Sequence, residues 1–157
     1  MLKILVLCTG NSCRSIMAEA LLNHFGKGRI IAKSAGSFPT GFVHPKSLET
    51  IAKNGISIDG FYSKSWDDLE GEKFDLLITV CDRAHNETCP IYLGNIMKTH
   101  WGVEDPAHVT GTDEEINNEF QKVFTILELR VKALLHADFE KLSQSEFKNF
   151  VDVIGAS

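Results

Sequence analysis

Apolar residues follow two rhythms along this chain. Short unbroken runs alternate with stretches in which apolar positions recur every third or fourth residue. The runs are Lys3-Ile4-Leu5-Val6-Leu7, Ile30-Ile31-Ala32-Lys33-Ser34, Phe74-Asp75-Leu76-Leu77-Ile78-Thr79-Val80 and Ile96 to His100. Runs of this length and composition predict buried parallel strands. From Ser15 the pattern turns helical, with Ile16, Met17, Ala20, Leu21 and Phe25 on one stripe and Gly26 as the stop. Pro45 opens a second helical segment carrying Leu48, Ile51 and Ala52, closed by Asn54-Gly55. Trp66 to Leu69 reads as a helical turn or two. Glu114 to Leu135 carries the longest pattern, with Ile116, Phe120, Val123, Phe124, Leu127, Val131 and Leu134, and Asp113 is its expected N-cap. The tail from Ser143 to Ser157 suits a short helix around Phe147, Phe150 and Val151.

Strands alternating with helices predict an α/β protein, a three-layer α/β/α arrangement around a central four-stranded parallel sheet. Ligands of such sheets bind beyond the carboxyl ends of the strands. Cys8, Cys81 and the loop after the fourth strand all belong to that edge.

Composition narrows the reading. A chain of 157 residues is one domain by size, and 43% apolar content is enough for a proper core. No repeat, linker or low-complexity stretch interrupts it. The net charge of −5 argues against nucleic acid and acidic membrane surfaces as partners. The first apolar run is too short for a signal-peptide core, and no stretch is long enough to span a bilayer. A cytoplasmic location is therefore expected. There, four cysteines point to reactive or metal-binding thiols rather than structural disulfides.

Cys8-Thr9-Gly10-Asn11-Ser12-Cys13-Arg14-Ser15 lies between the first strand and the first helix. A cysteine, five residues and an arginine in that place make an oxyanion cradle with a nucleophile at its floor. Loop N–H groups and the helix N-terminus favour negative charge. Arg14 adds a planar fork of donors, and Gly10 and Asn11 tolerate the left-handed angles that a loop around an anion needs. The same field should hold Cys8 as thiolate, the reactive form. The bland alternative is a strand-turn-helix with a buried thiol.

Asp105-Pro106, after the presumed fourth strand, offers a proton donor for a departing oxygen. A carboxyl group beside a thiolate and a bound anion would have a raised pKa. Cys81 and Cys89 flank a polar segment and suit disulfide exchange with Cys8. Two other readings stay open for them: a zinc site with His85 and His100, or two inert buried thiols. Cys13 reads as packing inside the loop helix.

These residues, with Met17-Ala18-Glu19, Ser34-Ala35-Gly36, Thr79-Val80-Cys81, Cys89-Pro90, His100-Trp101-Gly102 and Asp105-Pro106, resemble the low-molecular-weight tyrosine phosphatase superfamily. Within it they resemble the arsenate reductases that share its fold. The resemblance runs from residue 2 to about residue 135. It implies a single catalytic domain over residues 1–157, with the tail from about residue 140 not covered. By that resemblance, Cys8 attacks arsenate held by Arg14 and the amides of Thr9, Gly10, Asn11, Ser12 and Cys13. Ser15 hydrogen-bonds the thiolate, Asn11 stabilises the loop backbone, and Asp105 protonates the departing oxygen. Cys81 then attacks the adduct, arsenite leaves, and Cys89 moves the disulfide outward to Cys81–Cys89.

The implied reductant is external, thioredoxin or glutathione with glutaredoxin, with no bound cofactor and no metal. The gap from Cys81 to Cys89 is one residue longer than in thioredoxin-coupled members. Some members bind potassium with residues matching Asn11, Glu19 and Ser34 plus a carboxylate. Here Lys64 takes the carboxylate's place and would supply the charge without an ion. The competing reading is a tyrosine phosphatase, whose branch carries tyrosines just after the Asp-Pro where this chain has Ala107-His108.

Overall fold

The computed structural model describes residues 1–86, 90 and 93–157. Strands β1 (Leu2–Leu7), β2 (Ile30–Ala35), β3 (Leu76–Thr79) and β4 (Met97–His100) form a parallel sheet in the order β2-β1-β3-β4. Leu7 lies opposite both Ala35 and Thr79, and Thr79 lies opposite His100, so all four strands end level at one edge. Ile4, Leu5, Val6, Leu76, Leu77 and Ile78 have no exposed surface, as expected of strands covered on both faces. Strand β3 is shorter than the apolar run. Asp75 instead ties the strand's entry to β1: its carboxylate accepts from the Lys3 N–H at 2.9 Å and its own N–H donates to the Lys3 carbonyl at 2.7 Å.

Helix α1 (Arg14–Phe25) begins one residue earlier than its apolar pattern and packs on β1 and β2. Helices α2 (Pro45–Lys53) and α4 (Asp113–His136) cover its other sides. That is why Ser15, Ile16, Met17, Ala18, Ala20, Leu21 and Leu22 are all buried, a wider face than one stripe. Phe25, expected on the stripe, falls at the last turn and is 37% exposed, its ring 4.9 Å from the Lys132 ammonium.

Thr112, not Asp113, caps α4. Its hydroxyl accepts from the Glu115 N–H, and the Glu115 carboxylate accepts from the Thr112 N–H. This reciprocal box satisfies two end donors where Asp113 alone would satisfy one. Asp113 becomes a first-turn acid at the positive helix end.

Short helix α3 (Asp82–Asn86) follows β3, and α5 (Gln144–Gly155) forms in the tail with the same kind of cap, Ser143 with Glu146. Helix α5 packs on β4 and α4. The Trp101 indole N–H donates to the Val151 carbonyl at 3.0 Å, and the Thr99 hydroxyl donates to Asp152 at 2.7 Å. Among the described residues, no helix is long and apolar enough to cross a membrane.

Candidate active site

Beyond β1 the chain turns back on itself from Cys8 to Arg14. The carbonyls of Thr9, Gly10 and Ser12 face away from the turn and accept the N–H groups of Phe38, Thr40 and His44 at 3.0, 3.0 and 3.1 Å. In a trans peptide the N–H points opposite to the carbonyl. With those carbonyls outward, the N–H groups of Gly10 and Cys13 face inward.

Asn11 holds this shape. It is fully buried with φ 46°, its Nδ2 donates to the Ser15 and Ser34 hydroxyls at 2.9 Å each, and its Oδ1 accepts the Lys64 N–H at 2.9 Å. The left-handed angle is thus fixed by three bonds. Gly10, expected to share that angle, does not adopt it. Gly36 is needed for a different reason: a Cβ there would collide with the Thr9 carbonyl and lie 2.6 Å from the Cys8 carbonyl oxygen.

Helix α1 starts at the loop with no side-chain cap and no acid in its first turn, so its end donors remain for an anion. Arg14 Nη1 donates to the Val103 carbonyl at 2.9 Å, and Nη2 lies 3.5 Å from Asp105. Its Nε is buried without a partner among the described residues, a donor that an oxyanion in the loop would satisfy. Asp105 accepts the Ala107 N–H at 3.0 Å and lies 3.4 Å from His108 Nε2, at the start of the 3-10 turn Pro106–His108. The loop, Arg14 and Asp105 therefore meet at the carboxyl edge of the sheet.

Cys8, Cys13 and Cys81 are buried free thiols. Cys8 and Cys81, just beyond the ends of the adjacent strands β1 and β3, are close enough to share a hydrogen bond. That bond, and then burial, raises the Cys8 pKa against the pull of Arg14. The same bond lowers Cys81 to about 5, with help from the Thr9 and Ala84 N–H groups and the Thr9 hydroxyl. The Ala84 N–H lies 3.4 Å from the Cys81 sulfur, an N-cap contact on α3. Cys8 and Cys81 thus titrate as one coupled pair. The Thr9 hydroxyl and the Thr9 and Ala84 N–H groups are fixed donors to the Cys81 sulfur. Ser15, expected to donate to Cys8, accepts from Asn11 and keeps its own proton to give. Cys13 faces Ser12 and Ser47, and burial pushes its pKa up.

Behind the loop, the Ser34 hydroxyl donates to Glu19 at 2.6 Å, and Lys64 Nζ lies 3.8 Å from the same carboxylate oxygen. Lys64 Nζ also sits 4.3 Å from the Tyr62 ring. Burial raises the Glu19 pKa and lowers that of Lys64, with the mutual attraction opposing both shifts. Asn11, Glu19, Ser34 and Lys64 are one connected network.

Cys89 lies outside the described residues. The zinc reading loses two of its other ligands to different contacts. The His85 ring stacks on His100 at 4.3 Å, and His100 binds the Thr79 hydroxyl at 2.7 Å and Asp82 at 3.1 Å. Among the described residues, no group of three metal-ligating side chains gathers. Two features escaped the sequence reading: the Val103 carbonyl that seats Arg14, and the Thr9 hydroxyl 3.8 Å from the Cys81 sulfur. A backbone carbonyl has no sequence signature. Thr9 is visible only as a loop member until the fold sets β3 beside β1.

An amide-lined loop with a cysteine at its floor, closed by an arginine and faced by an aspartate, defines an oxyanion-handling α/β protein. Residues 3–148 match the model of the low molecular weight phosphotyrosine protein phosphatase family, and the chain belongs to that family. Similar proteins include both arsenate reductases and a protein tyrosine phosphatase of this family. An arsenate reductase of Halalkalibacterium halodurans is 37% identical over 129 residues, covering 82% of this chain and 91% of that protein. A solved arsenate reductase in its phosphate-binding state superposes with a TM-score of 0.72 at 28% identity, covering 87% of this chain and 98% of that one. A thioredoxin-dependent arsenate reductase of Corynebacterium glutamicum gives 0.59 at 26% identity, covering 84% of this chain and 62% of that one.

Proposed function

We propose that this protein is a cytoplasmic arsenate reductase in which residues 1–157 act as one catalytic unit. The observation that carries the reading is the pair of buried free thiols, Cys8 and Cys81, just beyond the ends of the paired strands β1 and β3 at the oxyanion loop. A phosphate-ester hydrolase has no use for a second thiol there. A reductase needs one close enough to take over the first sulfur.

Arsenate enters the loop against the inward N–H groups, the α1 N-terminus and the free Arg14 Nε. The Cys8 proton shifts along the hydrogen bond to Cys81 as the Cys8 sulfur bonds to arsenic. Asp105, entering as the acid, protonates the departing oxygen, which leaves as water. The Cys81 sulfur then attacks the Cys8 sulfur and gives its proton to Asp105. The sulfur–arsenic bond breaks with its electron pair on arsenic. Arsenic(V) leaves as arsenite, and two thiols become the Cys8–Cys81 disulfide. Cys89 attacks Cys81 in turn, leaving Cys81–Cys89 for an external thiol reductant and freeing Cys8. Similarity to a thioredoxin-dependent reductase favours thioredoxin over glutathione with glutaredoxin. Lys64 serves the loop as a built-in cation.

A second reading, aryl phosphate hydrolysis at the same loop, is favoured by one observation. Phe38 and Phe42, on the segment that accepts the loop, are 70% and 59% exposed. The test supplies arsenate with NADPH and either thioredoxin and its reductase, or glutathione, glutaredoxin and glutathione reductase. Arsenate-dependent NADPH oxidation with thioredoxin is expected. No arsenate-dependent oxidation in either mixture, with aryl phosphate hydrolysis intact, would leave the second reading standing.

A further inference from the structure

Arg130 is a buried arginine far along α4 that no step above uses. It is 7% exposed, and none of the ion pairs among the described residues includes it. Burial lowers its pKa. Nη1 donates to the Gly102 carbonyl at 3.0 Å and Nη2 to a backbone oxygen of Ser157 at 3.3 Å, while Nε is buried with no partner among the described residues.

The next carbonyl in the chain, Val103, is the one that seats Arg14 at 2.9 Å. Two consecutive carbonyls are thus each gripped by a guanidinium, one from α4 and one from the oxyanion loop. The segment they hold leaves β4 still paired to β3: the Trp101 N–H donates to the Thr79 carbonyl at 2.7 Å and the Val103 N–H to the Val80 carbonyl at 3.1 Å. Asp105 follows two residues later, 3.5 Å from Arg14. A lateral shift of Gly102 would carry Val103 with it, swing the Arg14 fork and move the Asp105 carboxyl together.

We propose that Arg130 is a positioning residue for the oxyanion site: by fixing the Gly102 carbonyl it sets the seat of Arg14 on Val103 and the reach of Asp105. The proposal rests on the oxyanion site and on Asp105 as the acid, and its two halves are read separately. Arg130→Met keeps the length and apolar stem but removes the donors. Arg130→Lys keeps one charged donor.

For the Arg14 half, inorganic phosphate is titrated calorimetrically into wild type and both variants. Arg130→Met should weaken phosphate binding about tenfold, the scale of one lost charge-assisted contact, and Arg130→Lys should recover part of it. For the Asp105 half, hydrolysis of phenyl phosphate is compared with that of p-nitrophenyl phosphate. Arg130→Met should lose more rate on the poorer leaving group, and that difference should vanish in an Asp105→Asn background. If Asp105→Asn alone shows no leaving-group dependence, the acid assignment fails, and Arg130 stands or falls on phosphate affinity. Equal phosphate affinity in wild type and a folded Arg130→Met overturns the proposal. So does a loss that Arg130→Lys fails to relieve at unchanged melting temperature. Should Arg130→Met not fold, Arg130→Lys against wild type decides by the same two readouts.

Discussion

The two cysteines that meet at the sheet edge are held in opposite ways. Cys8 is enclosed by a loop whose carbonyls are tied outward to a neighbouring segment and whose one left-handed residue is locked by three hydrogen bonds. Cys81 stands before a helix of five residues, of which only Ala84 is buried. A cradle for a tetrahedral anion works by having its donors in place beforehand. A relay thiol must instead leave its first partner and reach another, so it is held by a few short-range contacts. Fixed donors from Thr9 and Ala84 gather on the Cys81 sulfur, while the Arg14 charge acts on Cys8.

Removing the nucleophile tests the comparison most severely. Cys8→Ser should abolish both arsenate reduction and aryl phosphate hydrolysis, because a hydroxyl does not ionise as a thiol can in this field. Near-wild-type activity in either assay would take Cys8 out of that chemistry.

Cys81→Ser should separate the two activities. Repeated turnover with arsenate should stop while ester hydrolysis persists. It should also lower the Cys8 pKa, since the bond to Cys81 is the largest influence holding it up. The thiolate absorbance of wild type should rise near pH 5, the value of Cys81, and that step should be missing from the variant. A wild-type step that survives in Cys81→Ser and disappears in Cys8→Ser would assign that step to Cys8.

Asp105→Asn should slow leaving-group protonation by roughly 100-fold or more. The loss should shrink for substrates with good leaving groups. A uniform loss across leaving groups would indicate damage to the Arg14 pairing rather than a missing acid.

Lys64→Met gives the smallest expected effect. It leaves Glu19 buried without its cation, which should cost about 3 kcal/mol in denaturant titrations at neutral pH. The cost should shrink as acid protonates Glu19. Its pKa is already raised by burial, so the folded state takes up that proton before the unfolded chain does, and stability lost at neutral pH returns on acidification. Lys64→Asp should make activity depend on potassium, with wild type insensitive to exchanging sodium for potassium at constant ionic strength. A strong potassium response in wild type would refute the built-in cation.

Much of this site can be read in the linear order of residues because its parts are local. The spacing from Cys8 to Arg14, between a strand pattern and a helix pattern, sets a tight loop there from local sequence alone. Lys64 is legible only through the family resemblance, which sets it where other members carry a carboxylate beside Asn11, Glu19 and Ser34. Element ends are less legible. Thr112 and Asp113 both suit a helix start, and the choice fell to the residue whose partner Glu115 could close a reciprocal bond. Phe25 has the right period for the core but reaches it where the sheet no longer covers α1.

The sequence by itself determined the parallel sheet, the level edge on which Cys8 and Cys81 stand, and the chemistry of the loop, since each follows from local period and spacing. Only the tertiary structure decided which donors reach the Cys81 sulfur, which carbonyl seats Arg14, and why glycine stands at residue 36. These depend on distances between segments far apart in the chain, Thr9 to Cys81, Arg14 to Val103, and Gly36 to the carbonyls of Cys8 and Thr9. A hydrogen bond or a steric limit acts over a few ångströms, and no pattern in one dimension states which remote atoms will come that close.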